Sequence, residues 1–135
     1  MASPDLELQS AVVAALTGDA AVMALVSGVY DRVPSEPWGS TQGYISFGPE
    51  DTAADEGGCV GIDTVSLQLD IWSRQVGRVH CKQILAAVRT AMQGLMLADN
   101  QIVARANPFQ MVMRDPDGLT THGVLRYEFH IEAQA

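Results

Sequence analysis

The residues best suited to chemistry in this chain are three histidines and two cysteines, which could bind a metal ion or pair as nucleophile and base. His80 and Cys81 are adjacent, and on a helix their side chains diverge by about 100°, so they do not share a metal ion without distortion. Cys59 stands alone in a glycine-rich segment, whereas a zinc site needs further ligands at suitable spacing. We therefore interpret all five, including His122 and His130, as core or surface residues, and we predict no metal site and no cofactor.

A second candidate is the acidic segment that runs from Asp51 to Gly58, because clustered carboxylates can bind calcium. The alternating ligands and the closing glutamate of an EF-hand loop are missing. The wider stretch at about 49–61 has almost no apolar residue, which indicates a long, mobile, acidic loop. Loops of this length in compact domains are usually either functional or disordered.

Motifs that carry catalysis are absent from the sequence. It has no nucleophile elbow, no Walker loop, no dinucleotide-binding glycine pattern and no cysteine paired with a plausible base. Because no catalytic constellation can be assembled, we predict that the protein is not an enzyme.

Length and composition favour one folded domain. The 135 residues are 47% hydrophobic and 18% charged, which is enough to bury a core without metal or disulfide support. No apolar run reaches the length of about 20 residues that spans a bilayer, and the first residues lack the pattern of a signal peptide. We expect a protein assembled in the cytoplasm, without membrane contact and with both cysteines as free thiols.

The charge is acidic and unevenly distributed. The net charge is -8, with eleven acids and one base in residues 1–70 but five acids and seven bases in residues 71–135. A general nucleic-acid-binding surface is disfavoured, because neutralising phosphates requires clustered Lys and Arg.

The predicted order of elements is helix, helix, short strands, long loop, strand, helix, strand, strand. Ser3 and Pro4 start a helix that runs to about Leu16, and Asp19 caps a second helix that reaches Val26. Residues 62–73 alternate as a strand, a helix follows to Gln93, and a hairpin turn at 115–118 leads into a final alternating strand from His122. This order predicts a single α+β domain over residues 1–135, with two or three helices packed on one face of a mainly antiparallel sheet.

The other face of this sheet is predicted to be polar and charged. Trp72 is the aromatic exception on it, and Arg126, Glu128 and His130 line the same face of the last strand. Aromatic residues are favoured anchors of subunit interfaces. We predict a subunit interface here, the alternative being a solvated face.

Several short motifs, taken in order, resemble a known family. These are 16–21 (LTGDAA), 29–34 (VYDRVP), 69–74 (LDIWSR) with Gly77 and Arg78, 114–118 (RDPDG) and 122–127 (HGVLRY). Together they resemble the tail completion, or tail terminator, proteins of long-tailed phages and of gene transfer agents. The resemblance extends from about Leu6 to Ile131.

The resemblance implies a structural role in a virion or phage-like particle, at the junction of tail and head. The family's proteins are expected to form a ring, of six subunits, that caps the tail tube, stops its elongation and docks the head-side connector. DNA would pass through the ring without specific binding. No catalytic residue is implied. The alternative is a monomeric protein-binding module or a neck adaptor.

Charge suggests how such a ring handles DNA. If the acids Glu50, Asp51, Asp55 and Glu56 line or rim the lumen, they repel phosphates and keep DNA sliding. We therefore predict that this segment faces the lumen or a partner.

Overall fold

The computed structural model describes residues 3–55 and 61–134, and these residues form three helices and seven strands. The helices are α1 (Pro4–Thr17), α2 (Ala20–Met23) and α3 (Val79–Met92). The strands are β1 (Val29–Tyr30), β2 (Gly43–Phe47), β3 (Asp51–Asp55), β4 (Ile62–Ser73), β5 (Gln101–Arg105), β6 (Phe109–Arg114) and β7 (Thr121–Glu132). The predicted α+β class is confirmed.

Both N-terminal helices begin where the sequence predicts. Pro4 occupies the first turn of α1, although the side chain of Ser3 makes no capping hydrogen bond. The carboxylate of Asp19 accepts a hydrogen bond from the amide of Val22 at 3.0 Å and so caps α2. This second helix ends at Met23, three residues earlier than predicted.

The long strands β4 and β7 form the centre of the sheet. They pair antiparallel over their whole length, from Ile62 opposite Glu132 to Ser73 opposite Thr121. Strands β2 and β3 share the outer side of β4, and β5 and β6 share the outer side of β7. Only β1, parallel to β2, departs from the antiparallel pattern among the described strands.

The predicted acidic loop is wrong for residues 51–55, because they form strand β3. Asp51 lies opposite Ser66 and Asp55 opposite Ile62, so the segment pairs with the first half of β4. All five β3 residues are exposed. Because neither side of the strand is buried, its sequence does not alternate between apolar and polar residues, and this alternation is the pattern that predicts a strand. Glu56 lies outside the described residues.

Helices α1 and α3 cover one face of the sheet and form the core with it. The buried residues include Leu8, Val12 and Leu16 from α1, Ile84, Leu85 and Val88 from α3, Leu67, Leu69 and Ile71 from β4, and Leu125, Phe129 and Ile131 from β7. The alternation predicted for both long strands is confirmed.

Helix α3 approaches β7 closely because Gly123 has no side chain. A Cβ at this position would lie 2.9 Å from Sγ of Cys81 and 3.2 Å from Cδ1 of Leu85. Burial raises the pKa of the Cys81 thiol to about 11, so the thiol is protonated and inert at neutral pH.

His80 links helix α3 to strand β4 and to the segment that follows α2. Its Nε2 donates to the carbonyl of Leu25 at 2.9 Å, and its Nδ1 lies 2.7 Å from the hydroxyl of Ser73. Because a carbonyl only accepts, Nε2 carries the proton and Nδ1 can accept from Ser73. His80 is thus a satisfied core residue, one of the two alternatives that the sequence left open.

The turn between β6 and β7 is held by Asp117. Its carboxylate accepts hydrogen bonds from the hydroxyl of Thr120 at 2.6 Å and from the amides of Leu119 and Thr120, both at 2.8 Å. The Thr120 hydroxyl, followed by these amides, lowers the pKa of Asp117. Gly118 adopts a φ of 72°, a conformation that glycine takes without strain. The predicted hairpin is confirmed.

Candidate assembly surface

The sheet face opposite α1 and α3, here called the open face, carries the side chains that point away from the core. Its central residues are Thr64, Ser66, Gln68, Asp70 and Trp72 of β4, with His122, Val124, Arg126, Glu128 and His130 of β7. Each β4 residue in this set lies opposite one of the β7 residues, so both strands contribute equally to the surface.

Four rings form a row across one end of the open face, and we call them the aromatic row: Trp38, Tyr44, Trp72 and His122. Strand register explains the row, because Tyr44 of β2 lies opposite Trp72 of β4, which lies opposite His122 of β7. The rings of Trp72 and His122 stack at 3.9 Å with an interplanar angle of 7°. Tyr44 packs on Trp72 at 6.2 Å and on Trp38 at 4.9 Å. Such contacts stabilise this end of the sheet beyond simple burial.

A hydrogen-bonded chain of polar groups continues from the aromatic row. His122 Nε2 lies 2.8 Å from Oδ1 of Asp70, which also accepts from Nε2 of Gln68 at 2.9 Å. Arg126 Nε donates to Oε1 of Gln68 at 2.8 Å. The buried carboxylate of Asp70 is therefore satisfied by Gln68 of its own strand and by His122 of the adjacent strand β7.

A second polar cluster occupies the other end of the open face. His130 Nδ1 lies 3.2 Å from the hydroxyl of Thr64, and His130 Nε2 lies 3.1 Å from Oε1 of Glu128. The side chains of His130 and Glu128 are 37% and 46% exposed, so this pair contributes little to stability. Both side chains are available for contacts with another molecule.

All four residues of the predicted interface lie on the open face, but their surroundings differ. Trp72 is half-buried in the aromatic row, and its Nε1 donates to the hydroxyl of Ser46 at 3.0 Å. Arg126 and Glu128 are exposed, and His130 is half-buried. Trp72 therefore already has a packing role within its own chain.

The predicted acidic residues that the structure describes, Glu50, Asp51 and Asp55, lie at one lateral edge of the same face. Asp51 is in register with Ser66, and Asp55 with Ile62, which places both carboxylates on the open-face side of β3. Glu50 precedes the strand, and burial, followed by the charges of Asp5 and Asp31, raises its pKa.

Sequence reasoning missed the apolar residues at the opposite edge. Phe109 lies opposite Arg126 and Met111 opposite Val124, so both are on the open-face side of β6. The guanidinium of Arg126 lies 5.7 Å from the ring centroid of Phe109. The spacing of Phe109, Met111 and Met113 two residues apart is the signal that could have identified this apolar strand face.

The described residues contain no cluster of three or more metal-binding side chains. None of their helices has the length and hydropathy needed to cross a membrane.

Comparison with known proteins identifies the family. Residues 10–132 match the sequence profile of the family described as tail completion protein gp17. The chain belongs to this tail completion family. Membership confirms the resemblance drawn from the short motifs and assigns the chain a structural, non-enzymatic role in phage-type tails.

Solved structures support the same assignment. A chain in the virion of a native gene transfer agent particle is 26% identical, with a TM-score of 0.83 over 98% of this chain and 100% of that chain. The gp17 protein of bacteriophage SPP1 is 23% identical, with a TM-score of 0.65 over 92% of this chain and 88% of that chain, and it shows the shared fold. No curated protein matches the chain.

Proposed function

We propose that this tail completion protein is a tail terminator: it forms a ring of six subunits that caps the finished tail tube and stops its elongation. The ring also docks the head-side connector and leaves a channel for DNA. The observation that carries the proposal is the full-length structural match to a chain of a gene transfer agent virion, added to the family match over residues 10–132. The ring would act at the junction of tail and head.

The open face supports the subunit contacts of such a ring. Among the described residues, the helices cover one face of the sheet, and the other face carries exposed charged groups next to aromatic rings. We infer that Trp72, Arg126, Glu128 and His130 take part in contacts between subunits. Arg126 and Glu128 are the more direct contributors, since Trp72 is already packed against His122 and Tyr44.

The acidic strand supports an unobstructed channel. Asp51 and Asp55 are exposed on β3, and Glu50 is exposed beside them. A ring repeats these acids with every subunit, so carboxylates at the lumen would repel the phosphates of passing DNA. The chain would thus conduct DNA without binding it.

The role is tested by removing the gene from the particle's genome. Loss of a terminator should give filled heads separated from tails, with tails longer than normal in electron micrographs. Restoring the gene in trans should return joined particles of normal tail length. Joined particles with normal tails in the deletion strain would contradict the proposal.

The interface is tested with an Arg126→Ala, Glu128→Ala double variant and with Trp72→Ala, each examined by native mass spectrometry. Both should shift the ring towards monomers at low concentration. A matched control is Lys82→Ala with Gln83→Ala, because both side chains are exposed on the helical side of the chain. If the open-face variants keep an intact ring at the lowest concentration measured, the interface lies elsewhere.

A further inference from the structure

The outer strand beside β7 is interrupted where β5 passes into β6. β5 ends opposite Phe129 and β6 begins opposite Arg126, so residues 106–108 span only the two residues between them. Pro108 has no backbone amide and cannot continue the ladder. The edge strand therefore forms a bulge beside Tyr127, and bulges often border functional sites.

A cleft of about 260 Å³ opens on the helical side of this bulge, between the end of α3 and the link from β5 to β6. We call it the arginine cleft, and its walls include Arg89, Met92, Arg105, Asn107, Pro108 and Tyr127. None of the lining residues is acidic. Pockets for drug-sized ligands measure about 300–1,000 Å³, so this smaller cleft suits one side chain or one terminal residue.

The two arginines of the cleft carry charges that no described carboxylate neutralises. Both side chains are exposed, and neither forms an ion pair within residues 3–55 and 61–134. Arg105 donates to the carbonyls of Met92 and Leu95 at the end of α3, which holds its guanidinium at the cleft and leaves other N–H groups for a ligand. The side chain of Arg89, in the last turn of α3, makes no hydrogen bond to a described residue. Two guanidinium groups in this arrangement favour an oxyanion.

The phenol of Tyr127 is a second, independent indication of a ligand. Tyr127 lines the cleft and is 8% exposed, yet its hydroxyl has no hydrogen-bond partner among the described residues. Burial raises the pKa of Tyr127, whereas the charges of Arg89 and Arg105 lower it, so both cations act on the same phenol. A buried donor without a partner is unfavourable, and a carboxylate held by the two arginines could accept a hydrogen bond from it.

The rest of the cleft favours a carboxylate carried by a protein over a phosphate of DNA. Met92, Ala106 and Pro108 provide apolar surface that can pack on methylene groups or on a terminal side chain. DNA binding requires clustered bases that neutralise several phosphates, whereas the cleft has two bases and the chain a net charge of -8.

We propose that the arginine cleft binds a carboxylate of a partner protein in the particle, supplied by a glutamate side chain or by a C-terminal residue. Arg89 and Arg105 hold the carboxylate oxygens, and Tyr127 donates a hydrogen bond to one of them. The site is separate from the open-face contacts proposed above and does not depend on the ring.

Small probes test the site directly. N-acetyl-leucine carries one carboxylate and an apolar side chain, and N-acetyl-leucine amide lacks only the charge. In an NMR titration of the isotope-labelled chain, the acid should shift the Nε–H resonances of Arg89 and Arg105 and should bind about tenfold more tightly than the amide. Equal binding of the two probes, or no shift of either arginine, would overturn the proposal. Tighter binding of the thymidine dinucleotide TpT than of the acid would also overturn it, because the site would then select a phosphate.

Three variants separate the roles of the side chains. Arg89→Gln should weaken binding of N-acetyl-leucine by about tenfold, because it removes a charge-assisted hydrogen bond. Tyr127→Phe should weaken it by about fivefold while raising the free energy of unfolding, a combination that a merely structural residue would not give. Lys82→Gln, an exposed base of α3 outside the cleft, is the control and should leave the affinity unchanged. Unchanged affinity in Arg89→Gln or in Tyr127→Phe would overturn the assignment of that side chain.

Particles show whether a partner uses the cleft. In the gene-deletion strain, Arg89→Glu supplied in trans should lower the yield of joined particles by about tenfold, because it repels the partner's carboxylate. Lys82→Glu should restore the normal yield. Unjoined tails in the deletion strain, together with a normal yield from Arg89→Glu, would overturn this inference and leave the terminator role standing. Joined particles in the deletion strain would contradict the terminator role, whereas the titrations test the cleft whatever that strain shows.

Discussion

At the scale of single residues, the Tyr127 hydroxyl in the core is expected to lower the stability of the fold. It is buried and has no hydrogen-bond partner among the described residues. Burial raises the pKa of Tyr127 to about 12, although the charges of Arg89 and Arg105 act in the opposite direction. The hydroxyl has therefore lost its hydration without a replacement, which is unfavourable for folding.

Tyr127→Phe should stabilise the protein. The variant removes the unpaired hydroxyl and keeps the ring that packs on Phe129, so the free energy of unfolding should rise by about 1 kcal/mol. Urea denaturation monitored by circular dichroism measures the change. A clear loss of stability would mean that the hydroxyl has a partner, such as a buried water molecule.

Gly123→Ala should destabilise the protein by about 1–3 kcal/mol, because the new methyl group meets the Cys81 sulfur. In a Cys81→Ala background the same change should cost less, by at least about 0.5 kcal/mol, since most of the overlap is removed. Part of the destabilisation should remain in this background, because Leu85 and Ile71 also lie close to the added methyl group. The double-mutant cycle is measured by urea denaturation, and additive effects would contradict the contact.

At the scale of elements, Glu7 ties helix α1 to the turn that precedes β5. Its carboxylate accepts hydrogen bonds from the amides of Asp99 at 2.6 Å and Asn100 at 2.9 Å. Burial raises the pKa of Glu7, but the bonds from Asp99 and Asn100 together outweigh it, so the pKa lies below the usual value of 4.5. The ionised form is therefore the one that fits the folded protein.

This lowered pKa predicts how stability depends on pH. The contribution of Glu7 should be present above about pH 4.5 and should be lost as pH falls through the lower pKa of the folded state. Glu7→Gln should therefore lose stability at pH 7 but show a shallower decline below pH 4.5 in urea denaturation. Glu36→Gln, at an exposed acid, is the control and should follow the unmodified chain. Parallel pH profiles for Glu7→Gln and the unmodified chain would contradict this role.

The elements that the sequence revealed are those with a periodic apolar face. Leu67, Leu69 and Ile71 on β4 and Leu125 and Phe129 on β7 alternate because one side of each strand meets the helices. The sequence of β3 has no such periodic face. This strand forms by backbone pairing with β4, and its side chains remain exposed to water.

The candidate surface could be predicted only in part from the sequence, for a related reason. Trp72, Arg126, Glu128 and His130 could be placed on one face by alternation within their own strands. The contacts of Trp72 with Tyr44 and His122 depend on the register between three strands. Local patterns do not specify that register, because it is fixed by long-range pairing.

At the scale of the whole molecule, the net charge of -8 becomes a property of the assembly. Asp51→Asn, Asp55→Asn and Glu56→Gln remove acids from the segment that we propose faces the lumen. Particles with this triple variant should assemble but deliver DNA more slowly, because the channel repels phosphates less. Delivery is measured by gene transfer per assembled particle.

The control for this experiment removes acids elsewhere in the chain. Glu36→Gln with Asp99→Asn neutralises exposed side chains outside β3, and delivery should be normal. If the triple variant also delivers DNA at the normal rate from normally assembled particles, the acidic segment does not influence DNA passage.

The aromatic row has a spectroscopic consequence. The chain contains two tryptophans, and both Trp38 and Trp72 belong to the row. Tryptophan fluorescence of this protein therefore reports on one end of the open face and does not report on the helical layer. If subunits cover that end as they assemble, the emission should shift to shorter wavelength with rising concentration, giving an assembly assay that needs no added label.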